Sequence, residues 1–257
     1  NQMEAFKHFD WFLKKVDDIP NSSKVVRAIL SGNRNLIKQV PYKHLAEFIQ
    51  KITVNGQRAE YLDLFVGLTD IDDTGDGSIS LLRNEISRYV TNTERSSFIL
   101  LWCCARGSKG YEARVSAMEP YVDSDSPLQD NDLSDDLQYH INLLHLLVGC
   151  KLGPKIQAIY PLDDVVAAIL DDRTIYHVKN KLGSILQGMI ASNTEAIEAS
   201  ESMWLFFEYV VEFFQEAETD FNRWAKPTKS VSKLARANYC EWMRICVSTS
   251  ELFFSGI

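Results

Sequence analysis

Clustered basic residues, long apolar runs and paired cysteines are all missing from this chain. Its 27 Lys and Arg are outnumbered by 35 Asp and Glu, for a formal net charge of −8. That balance excludes a general nucleic-acid surface, which needs Lys and Arg gathered against phosphates. No apolar segment approaches the ~20 residues needed to cross a bilayer. The longest run, Trp204 to Phe214, is broken by Glu208 and Glu212. The cysteines number five (Cys103, Cys104, Cys150, Cys240 and Cys246), an odd count set mostly in apolar helical runs. Reduced thiols in a cytosolic setting are therefore expected. At 257 residues the chain can bury a sizeable core without disulfide staples. It has no signal peptide and starts at Asn1, so it reads as a piece of a longer protein. Strand-like alternation hardly occurs.

Helical spacing fills most of the remaining sequence. Phe6, Phe9, Leu13 and Val16 line one face of a first helix, which ends near Asp17–Pro20. Asn21, Ser22 and Ser23 offer caps for a helix carrying Val25, Val26, Ile29 and Leu30. After Pro41, Leu45, Phe48, Ile49 and Ile52 fall at i, i+3, i+4 and i+7. The stretch from Tyr139 predicts a helix buried on most of its circumference. Ile141, Leu144 and Val148 lie on one side of it and Leu143, Leu147 and Cys150 on another. A second helix opens at Pro161, with Asp163 and Asp164 in a first turn that favours negative charge. Ile175, Val178, Leu182, Ile185, Leu186 and Met189 mark the most regular amphipathic helix. Trp204, Phe207, Val211 and Phe214 form an aromatic stripe expected to be core. The last helix carries Leu234, Trp242, Ile245 and Cys246. Phe253 and Phe254 at its end suggest a layer covered by a further segment. Between Arg106 and Leu133 periodicity is lost, and the six aspartates after Pro120 predict a mobile acidic loop. Short helices separated by tight turns predict an all-α fold, specifically an armadillo-like α-solenoid, a superhelical stack of short helix pairs. The echo between Ala28–Lys38 and Ala168–Lys179 is weak support for repeats.

Catalytic constellations are not found. His140 and His145 stand at i, i+5, on different helix sides, where zinc-binding helices use i, i+3 or i+4. No nucleophile elbow, phosphate-cradling glycine loop or Cys-x-x-Cys pair occurs. Asp163 and Asp164 diverge by about 100° around their helix, so they make no acid pair. The one ligand-like loop is DIDDTGDGSIS, which from Asp72 imitates a calcium loop with Asp72, Thr74, Asp76, Ser78 and Ser80 as candidate ligands. Thr74 stands where Asp or Asn is usual, and Arg83 occupies position 12, where a bidentate Glu should close the cage. A solvated acidic turn explains the loop better than a cation site. No enzyme, no cofactor and no metal are expected.

YHINLLHLLVGC (Tyr139–Cys150), PLDDVV (Pro161–Val166), HVK (His177–Lys179) and SMWLFFE (Ser202–Glu208) follow one another with informative order and spacing. Upstream lie NRNLIKQVPYKHLAEFIQKI (Asn33–Ile52) and RAEYLDLF (Arg58–Phe65). Together they resemble the inositol trisphosphate receptor family, in its ryanodine/inositol trisphosphate receptor homology (RIH) domain, over roughly Asn33 to Val211. The resemblance implies one solenoid region over 1–257, with the homology domain at about 21–217 and trailing helices at 218–257. It also implies a cytosolic segment, without direct membrane contact, of a tetrameric calcium-release channel in an endoplasmic-reticulum-type membrane. Its partners would be other domains and subunits of that channel, and inositol phosphate would bind on other domains of the parent protein. The basic ligand-gripping cluster of such receptors has no counterpart here. A free-standing armadillo-like scaffold for a partner peptide is the alternative.

Overall fold

The computed structural model describes residues 1–71, 77–91, 109–122, 133–151, 157, 160–192, 197, 200–224 and 233–255. Among them every regular element is an α-helix. The chain divides into two compact units, Asn1–Leu101 with Gln138–Lys151, and Trp102–Leu137 with Leu152–Ile257.

The first unit contains α1 (Gln2–Phe6), α2 (Phe9–Lys14), α3 (Ser22–Leu30), α4 (Arg34–Ile37), α5 (Lys43–Asn55), α6 (Ala59–Thr69) and α7 (Gly77–Thr91). Most of α9 (Asp135–Gly149) joins them. The expected first helix is thus two pieces, broken at Lys7–His8. Its face survives the break in part, since Phe9, Leu13 and Val16 are buried while Phe6 is half-buried. Asn21 precedes α3 in a left-handed conformation without a side-chain cap, and Ser22 instead donates to the Phe12 carbonyl at 2.8 Å. On α5, Leu45, Phe48, Ile49 and Ile52 are all buried, as their spacing requires. The helix stops at Gly56, whose φ of 88° suits a residue without Cβ. At the centre stands α6, every residue of which is buried except the half-buried Glu60. It packs on α3 and α5. Gly67 permits the close approach to α3, because a Cβ there would lie 3.1 Å from the Arg27 Cα. Gly149 does the same at the end of α9, where a Cβ would meet Thr69 at 2.7 Å.

The second unit holds α8 (Lys109–Val122), α10 (Leu162–Leu170), α11 (Tyr176–Ser192), α12 (Glu201–Trp224) and α13 (Lys233–Ser255). Helix α8 falls where periodicity was lost. Its inward positions are Tyr111, Arg114 and Met118, so a buried arginine hides the apolar spacing. Pro120 lies in its last turn without ending it. Of the expected acidic loop, residues 123–132 lie outside the described residues, and Asp135 and Asp136 are instead the first turn of α9. Pro161 is the N-cap of α10, one residue before the helix proper.

Helix α11 packs extensively on α13 and also on α10. Its Val178, Leu182, Ile185, Leu186 and Met189 are buried as expected. Polar side chains tie the same pair. Asn180 donates to the Asn238 carbonyl at 3.1 Å, and Gln187 donates to Ser248 at 2.7 Å and Thr249 at 3.1 Å.

The aromatic stripe on α12 requires correction. Trp204 and Val211 are more than half exposed, and Phe207 and Phe214 are half-buried. The buried face is Met203, Phe206, Val210, Phe213 and Ala217, rotated by one residue. Apolar side chains occupy both sides of this helix, so periodicity alone left its rotation open, and packing on α10 set it. Of the terminal pair, Phe253 is buried against Phe207 at a centroid distance of 4.8 Å, and Phe254 is exposed.

Candidate functional site

The calcium-like loop is only partly within view. Asp72, Thr74 and Asp76 lie outside the described residues. Ser78 and Ser80 are exposed in the first turn of α7. Arg83, at the closing position, is buried and donates through Nη2 to the carbonyls of Thr69 and Ile71. Its charge thus clasps the end of α6 to α7, where a calcium cage would need a carboxylate. Millimolar calcium is expected to leave the melting temperature unchanged. A rise in melting temperature that Asp76→Ala removed would refute this. Among the described residues no group of three His, Cys, Asp or Glu side chains could hold a metal.

The two neighbouring histidines do different work. His140 is buried with its ring edge-on to Tyr139, at 5.3 Å, and His145 Nδ1 lies 3.3 Å from Arg27 Nη2. Arg27 also faces Asp63, at 3.6 Å, and Asn142 Nδ2 donates to the same Asp63 oxygen at 3.4 Å. Burial pushes the Asp63 carboxyl above its ordinary range, against the pull of Ser23 and Arg27. These residues join α3, α6 and α9, and the arrangement is a packing device. In the second unit Asp163 accepts from Ser202 at 2.6 Å, which ties the start of α10 to that of α12. The Asp164 carboxyl is raised by burial and by the neighbouring Asp163.

A stronger polar cluster surrounds Tyr111 on α8. Its hydroxyl donates to Asp171 Oδ2 at 2.7 Å. The Arg173 side chain and backbone N–H donate to the same carboxylate at 3.0–3.1 Å. Two guanidiniums, of Arg114 and Arg173, lie over the Tyr111 ring at 5.2 and 5.5 Å. Burial alone would raise the Asp171 carboxyl, but the donated bonds from Arg173 and Tyr111 outweigh it and hold it at about 2. A depressed folded value stabilises the protein above the unfolded value near 3.9, and that stability is lost as pH falls through the folded one. Asp171→Asn is therefore expected to cost about 1–2 kcal/mol at pH 7, discounted because Arg173 is half exposed. The cost should shrink between pH 4 and 2, as urea titrations of both proteins can measure.

Beside this cluster, in the second unit, opens a cavity of about 540 Å³. Lys179, on the first turn of α11, forms part of its wall and is only 5% exposed. Its Nζ donates to the Tyr209 hydroxyl at 3.1 Å and lies over the Tyr209 and Tyr176 rings at 4.9 and 5.9 Å. Burial pulls its ammonium down to about 8, against the opposing pull of Asp172 and Asp171. On α12, Tyr209, Glu212, Phe213 and Glu216 recur at i, i+3, i+4 and i+7, which places an aromatic and acidic stripe along the cavity. None of this was singled out in the sequence beyond the HVK motif. Lys179 sits within a regular apolar pattern, and its aromatic cover comes from a helix 30 residues away.

The described residues are all-helical in their regular elements, their buried polar groups join helices, and one cavity lies at the start of α11. The family model for the RIH domain matches residues 1–74, which include the motifs at Asn33–Ile52 and Arg58–Phe65. Over those residues the chain is similar to the RIH domain, a match consistent with the inositol trisphosphate receptor family that its later motifs resemble.

Proposed function

We propose that the chain is a non-catalytic, regulatory segment of an inositol trisphosphate receptor-like calcium-release channel. It would lie on the cytosolic side of an endoplasmic-reticulum-type membrane and relay gating between other domains and subunits of a tetramer. The observation that carries this reading is the RIH match at residues 1–74, followed in order by the PLDD and MW motifs downstream. Among the described residues no helix is long and apolar enough to cross a membrane, so the reading assigns the pore to another part of the parent protein. Consecutive helices that pack on each other, as α2 on α3, α5 on α6 and α10 on α11, suit a solenoid that acts as a stiff lever. Deletion of this segment from the full-length protein is expected to leave assembly intact and to impair agonist-evoked calcium flux. Unchanged flux would overturn the proposal.

The exposed Trp204, Leu205, Val211 and Phe254 favour a second reading, a scaffold that binds a partner protein or peptide. A parent reading frame that lacks downstream membrane-spanning helices would support it over the channel.

A further inference from the structure

We propose that the cavity at the start of α11 is a binding site for a free α-amino acid with an apolar side chain. The carboxylate would be held at Lys179, and the ammonium at Glu212, Glu216 and Asp172. This inference does not depend on the channel reading.

The cavity wall carries charged groups of both signs. Lys179 presents three N–H donors, of which the structure satisfies one, through Tyr209. A buried ammonium with a single hydrogen bond is under-compensated, and an anionic oxygen in the cavity would supply what it lacks. Thr174 and Ile175, which precede α11, and Tyr176 and His177, which open it, line the same wall, so the positive end of a 17-residue helix lies beside Lys179. The depressed lysine value of about 8 has the same origin, and it should rise when an anion binds.

On the same wall Glu212, Glu216 and Asp172 are exposed, and Asp172 is near enough to Lys179 to favour its charge. None of them forms an ion pair among the described residues. An anion alone would face these three carboxylates, and a cation alone would face Lys179. A zwitterion satisfies charges of both signs, and a carboxylate does so with one negative charge where a phosphate dianion would add a second against the carboxylates. On the same wall Ile175, Tyr176, Phe213 and Val122 provide apolar surface for a side chain. The volume of about 540 Å³ lies within the range usual for small-molecule sites.

The test uses the whole chain at pH 7, titrated calorimetrically with three matched probes. These are L-phenylalanine, 3-phenylpropionate (no ammonium) and phenethylamine (no carboxylate). Phenylalanine is expected to bind at least tenfold more tightly than either of the others. Lys179→Met should abolish its advantage over phenethylamine. The pair Glu212→Gln and Glu216→Gln should abolish its advantage over 3-phenylpropionate. Lys179→Met removes a desolvated charge and keeps the side-chain bulk, so it should melt no lower than the parent, and a folded variant is available. Equal binding of all three probes, no binding of phenylalanine at millimolar concentration, or unaltered binding in either variant would overturn the proposal. Channel flux is not measured in this test, so its failure leaves the proposed function standing.

Discussion

Trp242→Ala is expected to lower the unfolding free energy by about 3–5 kcal/mol, the range for removing a large buried aromatic side chain. Trp242 is fully buried on α13 and packs where α11 and α13 come closest. That approach depends on Gly183. A Cβ built there would lie 2.5 Å from Ile245 Cγ2 and 2.9 Å from Trp242 Cζ3, so both side chains would have to move. Gly183→Ala should therefore cost about 1–3 kcal/mol by overpacking, although alanine is the better helix former by about 1 kcal/mol. In a Trp242→Ala or Ile245→Ala background the added methyl has room, and its cost should fall by at least half. Chemical denaturation of the single and double variants measures this coupling. A strictly additive result would show that Gly183 does not set the helix separation.

Asp63→Ala is expected to cost about 2–3 kcal/mol, and Asp63→Asn less than about 1 kcal/mol. Alanine leaves the Asn142 amide without one acceptor and Arg27 without its carboxylate, in a place where Asp63 itself is buried. Asparagine keeps an acceptor and removes a charge that burial disfavours. Arg27 is partly exposed and can turn toward water, which keeps the alanine cost below that of a fully buried pair. The pH dependence runs opposite to that of Asp171. Because the folded carboxyl of Asp63 is raised, its protonation favours the folded state. The stability it contributes is greatest below the unfolded value near 3.9 and is lost as pH rises through the folded value. Asp63→Asn should thus gain on the parent as pH rises from 4 toward neutrality, and an unchanged difference across that range would count against the buried charge.

The same residues show why some elements were legible in the sequence and others were not. The all-helical class, α5 and the inward face of α11 follow from apolar spacing at Leu45–Ile52 and Val178–Met189, because one face alone is apolar there. Helix α8 was missed because Arg114 takes an inward position and is paid for by Thr174 and the Tyr111 ring. The rotation of α12 was misjudged because Trp204 and Phe206 are equally apolar, and only packing on α10 determines which is covered. Arg83 was read as a defect in a calcium loop, and its buried bonds to Thr69 and Ile71 show what it does instead.

What the sequence by itself determined is the helical class, most of the buried faces, and the family resemblance carried by short motifs, since each depends on residues within a few turns of one another. Tertiary structure decided where helices may touch, at Gly67, Gly149 and Gly183, and which ionisable groups share an environment. Lys179 and Asp172 come to share a cavity wall with Tyr209 and Glu212 only through tertiary structure, which joins Lys179 to Tyr209 across 30 residues. A cavity is a property of that juxtaposition, and no local pattern encodes it.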